Sequence, residues 1–215
     1  MRLLLTSAGL STDKIAQALE RLVSKPLNVT KTAFILTAKN NREVPAVEAM
    51  ANQIAQLDKY AIPYVPVDPS IDKDWQERLE GVDVVIIGGG NTFHLLNEAR
   101  QTGFDNWLKE HLNDKVYVGI SAGSILMTPN IAVASVDDGD ENTVGITDLT
   151  GLGFVDFEIS PHTPEDVSVA SNLEYSKTTP RKVLLLDNNS AVKVTDKIEM
   201  ISNGEWHRCE NGGLL

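Results

Sequence analysis

The chain has 215 residues, 42% hydrophobic and 23% charged, with a formal net charge of −11. That is the make-up of a globular protein large enough to bury a core. The acidic balance argues against a nucleic acid or an anionic membrane surface as partner, because holding phosphates takes clustered Lys and Arg.

The opening "MRLLLTSAGLSTDK" turns polar after three leucines and reads as neither signal peptide nor anchor. No apolar run reaches the roughly 18 residues of a membrane span. Within this opening, "RLLLTS" (2–7) is a short buried strand. Residues 12–24 put Ile15, Ala18, Leu19 and Leu22 on one helical face, with Thr12 as N-cap. "TAFILTA" (32–38) is a second strand, and 44–58 a helix with Pro45 near its first turn. "IPYVPVD" (62–68) is a third strand, and 72–80 a short helix around Trp75 and Leu79.

A strand at 82–87 then runs into a glycine turn and a helix from about 92. Another helix covers 104–112, and a strand 115–120. Strands alternating with helices imply right-handed crossovers and a mostly parallel sheet with helices on both faces. Residues 135–153, rich in Asp, Gly and Thr, read as loop, and "FVDFEISPH" (154–162) as a strand with a polar end. Residues 181–208 read as a strand followed by antiparallel strands, with "SNG" (202–204) as a hairpin turn. With no linker or repeat, the expectation is an α/β fold in one domain over 1–215. The single cysteine, Cys209, cannot close an internal disulfide and reads as a bystander; a reducing cytoplasm fits.

Gly119-Ile120-Ser121-Ala122-Gly123 matches G-x-S-x-G between a strand and a helix. A sharp turn there lifts the serine hydroxyl clear of the sheet and demands small neighbours. The bland alternative is a small-residue turn packing a helix onto a sheet. A serine nucleophile needs a base. Of the four histidines, His94, His111 and His207 sit in helical or strand settings that suit packing. His162 closes a strand, where open parallel sheets place their sites. The turn Gly88-Gly89-Gly90-Asn91-Thr92 lacks the residues of a P-loop or a dinucleotide fingerprint. It reads better as a loop whose backbone N–H completes an oxyanion hole with that of Ala122, a pure packing turn being the alternative.

"VVIIGGGNTFHLL", then "YVGISAGSILMTPNIAVAS", then "SPH" together resemble the peptidase E and cyanophycinase family of serine peptidases. The "RLLLTS" opening and the "ISNG" near the end also fit, so the resemblance spans essentially the whole chain. It implies a fold like that of class I glutamine amidotransferases, with Ser in place of the nucleophilic Cys. It further implies Ser121 as nucleophile, His162 as base, and Gly89 or Gly90 with Ala122 as oxyanion donors. Peptidase E removes an N-terminal aspartate from dipeptides and needs no metal, so small peptides are the expected substrate and no cofactor is expected. A monomer or homodimer is expected.

Two departures stand out. The family's acid after the histidine, often Glu, has no Glu counterpart in "LLLDNNSAV". Asp187 is the one carboxylate there and the expected orienter of His162, although the register could place Asn189 or Ser190 at that position. An aspartate that matters in peptidase E maps loosely onto Asp137 or Asp138, which would bind a substrate amine or serve as the acid itself; with Asn91 these are the expected substrate-binding residues. The family's Gly-Glu-Thr-Arg-like stretch, which would anchor an acidic substrate, is also unmatched in this chain. Two other readings stay open. One is an acyl hydrolase using the same turn, although the chain lacks an HGGG oxyanion loop. The other is an amidotransferase-like domain that binds without catalysis.

Overall fold

The computed structural model describes residues 1–39, 50–137 and 139–215. A seven-stranded sheet has the order β3-β2-β4-β5-β1-β8-β9. Its strands are β1 (Arg2–Thr6), β2 (Thr32–Ile35), β3 (Tyr64–Val67), β4 (Val84–Ile87), β5 (Val116–Ile120), β8 (Ser190–Val194) and β9 (Ile198–Ser202). The first five in spatial order run parallel, and β8 and β9 add antiparallel to one edge. A second sheet, β11-β10-β7-β6, contains β6 (Glu158–Ser160), β7 (Val183–Leu186), β10 (Trp206–Glu210) and β11 (Gly213–Leu214).

The helices are α1 (Asp13–Val23), α2 (Ala51–Lys59), α3 (Trp75–Arg78), α4 (Thr92–Thr102), α5 (Phe104–His111), α6 (Ala122–Leu126) and α7 (Val169–Ser176). α1 buries Ile15, Ala18, Leu19 and Leu22, and Thr12 caps it through a bond from Ile15 N–H at 3.3 Å. Strands β2, β4 and β5 are buried along their whole length. Such near-continuous apolar runs belong to parallel strands covered on both faces. The fold is therefore the expected mixed α/β type, with a mostly parallel sheet between helices and antiparallel strands toward the end of the chain.

The structure corrects several boundaries. The strand expected over 154–162 is only Glu158–Ser160, because Phe154 and Val155 instead bond back to the carbonyl of Met127. The expected "SNG" hairpin is not one. β9 pairs with β8, whereas β10 pairs with β7 in the other sheet, so residues 202–204 carry the chain between sheets. Asp187 holds this crossing: Glu205 N–H donates to Oδ2 at 2.6 Å, and a Cβ at Gly204 would lie 1.7 Å from that oxygen. The helix expected over 44–58 is described only from Ala51; Pro45 lies outside the described residues.

Candidate active site

Four chain segments converge at strand ends on the seam between the two sheets. Ser7 follows β1, Ser121 follows β5, His162 follows β6 and Asn188 follows β7. Carboxyl ends of strands are where open α/β sheets gather ligands.

Ser121 sits at φ 49° and ψ −109°, a left-handed conformation that costs a non-glycine residue on the order of 1–3 kcal/mol. Its surroundings hold it there. Ser121 N–H donates to the carbonyl of Thr6 at 3.0 Å. The Thr6 hydroxyl donates to the carbonyl of Gly119 at 2.8 Å, and the Ser124 hydroxyl donates to that of Thr6 at 2.8 Å. The buried Tyr117 hydroxyl donates to Gly123 carbonyl at 2.6 Å. The two motif glycines are needed for close approach. A Cβ at Gly119 would lie 2.7 Å from the backbone of Gly123, and one at Gly123 would lie 2.4 Å from the carbonyl oxygen of Ile87. α6 starts at Ala122, where the first helical N–H groups have no intrahelical acceptor.

His162 also has a positive φ, 59°. Its main-chain N–H donates to the Ser7 hydroxyl at 2.8 Å, which fixes the ring's approach. Nε2 lies 2.9 Å from Ser121 Oγ, and Nδ1 lies 2.6 Å from Asn188 Oδ1. An amide oxygen can only accept, so Nδ1 carries the proton and Nε2 presents its lone pair to the serine hydroxyl. The arrangement can take a proton from Ser121 and return it to a leaving group.

Asp187 does not meet the histidine. Oδ1 accepts from Asn189 N–H at 3.0 Å and from the Ser190 hydroxyl at 2.6 Å, while Oδ2 accepts from Glu205 N–H. The aspartate is thus consumed in shaping the turn between β7 and β8, and the next residue, Asn188, faces the imidazole. Neither Asn189 nor Ser190 takes that place.

Gly89, Gly90 and Asn91 line a cleft of about 1120 Å³ that reaches Ser121 and His162. Gly89 N–H donates to Gln53 Oε1 at 3.1 Å. Gly90, at φ 149°, packs so tightly that a Cβ would lie 2.2 Å from the carbonyl oxygen of Ala38. Asn91 lines the cleft, but its side chain is engaged at both ends. Oδ1 caps α4 through His94 N–H at 2.8 Å, and Nδ2 donates to the carbonyl of Glu141 at 2.8 Å.

A second cleft, of about 600 Å³, meets the first at Ser121, His162 and Asp140. Ile125, Val133, Ala134 and Val167 give it apolar lining, and Glu165 and Asp166 add carboxylates. Asp137 faces neither cleft. It accepts from Ser168 N–H at 2.8 Å and from the Ser171 hydroxyl, and so braces the start of α7, whose N-cap is Ser168. Those bonds, the Ser171 hydroxyl first, hold its carboxyl below the usual range. Asp138 lies outside the described residues. The aspartate of this loop that reaches the site is Asp140, whose Oδ2 accepts from Thr92 N–H at 2.7 Å.

Sequence reasoning missed Ser7, Gln53, Asp140, Glu165 and Asn188. Only the "DNN" after a strand gave any sign, since it named a polar turn without saying which member faces inward. Among the described residues no group of three or more His, Cys, Asp or Glu is placed to hold a metal ion. No helix among them is long and apolar enough to cross a membrane.

An α/β sheet that ends one strand in a strained serine, with an imidazole in hydrogen-bond reach, has the construction of a serine hydrolase. The profile of peptidase family S51 matches residues 3–201, and the chain belongs to that family of serine-type peptidases. An uncharacterized peptidase of Listeria innocua is 30% identical over 185 residues, covering 80% of this chain and 85% of that protein. Peptidase E of Salmonella arizonae is 29% identical over 140 residues, covering 63% of this chain and 56% of that protein. Among solved structures, a Listeria monocytogenes protein described as a candidate peptidase E superposes with a TM-score of 0.74. It has 25% identity over 94% of this chain and 98% of that one.

Proposed function

We propose that the protein is an exopeptidase for small peptides, with Ser121 as nucleophile and His162 as general base. The observation that carries this reading is the 2.9 Å approach of Nε2 to Oγ on a strained turn between two clefts. Ser121 Oγ attacks the scissile carbonyl as its proton passes to Nε2. The Nδ1 proton stays on nitrogen, held by Asn188 Oδ1. The developing oxyanion is met by the N–H groups of Gly89 and Ala122, with Gly90 holding the loop close. Collapse breaks the C–N bond, the imidazolium gives its proton to the departing amine, and water then hydrolyses the acyl-enzyme by the same route reversed.

The two clefts suit the two sides of a scissile bond. Asp140, shared by both, is the carboxylate that holds the substrate's free α-amino group, in place of Asp137. Lys39 is the one Lys or Arg among the described residues lining the larger cleft, and it favours an acidic first residue. Asp-X dipeptides are therefore the preferred substrates.

The test is release of free amino acid from Asp-Leu, Ala-Leu and Leu-Leu by the native protein and by Ser121→Ala. Aspartate-selective release that falls by about 10⁴-fold or more in the variant is expected, as for other serine nucleophiles. Full activity in Ser121→Ala would sink the mechanism. Serine-dependent release from Leu-Leu alone would leave the mechanism and remove the role of Lys39.

A further inference from the structure

Asn188 leaves the Nδ1 side of His162 without a directly bonded carboxylate, but one stands a step behind. Glu165 Oε1 accepts the main-chain N–H of Asn188 at 2.9 Å, and Asn188 Oδ1 in turn faces His162 Nδ1 at 2.6 Å. Glu165 lies three residues after His162, on a turn in which Asp166 N–H and Val167 N–H donate to the carbonyl of His162 at 2.8 and 3.0 Å. Glu165 and the imidazole line the same smaller cleft.

We propose that Glu165 is the positioning acid of this site. It fixes the main chain at Asn188 so that the amide oxygen meets Nδ1, and it supplies the negative charge that an asparagine lacks. The inference rests on Ser121 and His162 acting as described above. During attack His162 becomes a cation. A carbonyl dipole favours that cation less than a carboxylate does, and a nearby carboxylate favours it without taking the proton.

Other charged or titratable groups surround the ring. Asp140 and Asp166 share the smaller cleft, and Asp140, Lys39, Glu98 and His94 share the larger one. Asp140 accepts from Thr92 N–H on α4 through Oδ2. Glu98 accepts from its neighbour Asn97 at 3.0 Å. Glu165 alone among these carboxylates is hydrogen-bonded to the residue that carries the imidazole's acceptor. Its side chain is exposed, so exchanging it leaves the core untouched.

The experiment is an NMR titration of the His162 imidazole in the full chain, its resonance assigned by loss in His162→Gln. It compares the native protein, Glu165→Gln, Asn188→Asp and the double variant. Glu165→Gln keeps an acceptor oxygen for Asn188 N–H and removes only charge. The expected result is a His162 titration displaced downward in Glu165→Gln and upward in Asn188→Asp, as loss and gain of a nearby carboxylate dictate. On a cleaved dipeptide, kcat/KM falls by about three- to tenfold in Glu165→Gln and by less when Asn188→Asp is already present. A Glu165→Gln titration that overlays the native curve overturns the proposal. The titration needs no turnover, so this failure is distinct from failure of the peptidase mechanism, which shows as full activity in Ser121→Ala.

Discussion

Gln53 Oε1 accepts the N–H of Gly89 at 3.1 Å, so a side-chain carbonyl occupies the donor that the proposed mechanism assigns to the oxyanion. The contact imitates a bound substrate carbonyl. A substrate must displace it, and a neutral hydrogen bond of this kind is worth about 0.5–1.5 kcal/mol net. Gln53→Ala is therefore expected to lower KM by up to about tenfold. Steady-state kinetics on the preferred dipeptide checks this. A raised KM would show that Gln53 helps bind substrate, and an unchanged KM that the contact does not compete with it.

Asp187 and Asn188 are adjacent in sequence and have different work to do. Asp187 accepts three bonds that shape the turn after β7. Asp187→Asn is expected to cost about 1–3 kcal/mol of stability, because hydrogen bonds to a charged group are lost. Activity at a temperature where the variant is folded should stay within a few-fold of native. Asn188→Ala should do the reverse, with little change in the denaturation midpoint and a loss in kcat of about 10²-fold or more, since the imidazole loses the partner that sets its tautomer. Urea denaturation beside kcat separates the two, and a catalytic loss confined to Asp187→Asn would contradict the assignment.

The loop aspartates divide in the same way. Asp140→Asn should raise KM for a dipeptide by about tenfold through loss of an ion pair with the α-amine. It should do less to an N-acetylated analogue, which lacks that charge. Asp137→Asn should leave KM alone. Because hydrogen bonds hold the Asp137 carboxyl below its usual range, its contribution to folding is present above the ordinary aspartate pKa of about 3.9. That contribution is lost as pH falls through the lower folded-state value. Acid denaturation of native and Asp137→Asn should therefore converge at low pH. A gap that widens there would reverse the sign and refute the role of Asp137 in holding the start of α7.

Cys209 is fully buried, and burial pushes its thiol above the ordinary range. A neutral, enclosed thiol is a poor nucleophile. A maleimide should leave the folded protein unlabelled at neutral pH over the time in which it labels the denatured chain completely. Rapid labelling of the folded protein would mean that the sheet carrying β10 opens readily.

Features that depend on near neighbours are legible in the residues alone. Apolar runs alternating with 3.6-period segments specify a parallel α/β sheet, since each run must be covered on both faces. Two small residues around Ser121, between a strand and a helix, specify the elbow, because no larger residue fits at positions 119 and 123. Direction and partnership across the seam come from long-range contacts. Asp187, Asn188 and Asn189 are equally polar, and only the bonds from Glu205 and Ser190 turn the aspartate away and leave Asn188 facing His162. In the acidic loop, pairing of Asp137 with α7 and of Asp140 with α4 selects which carboxylate reaches the cleft. The "SNG" segment reads locally as a hairpin, but β7 is the better partner for β10, so the chain changes sheets there instead. Each of these choices depends on groups far apart in the chain and close only once both sheets are assembled.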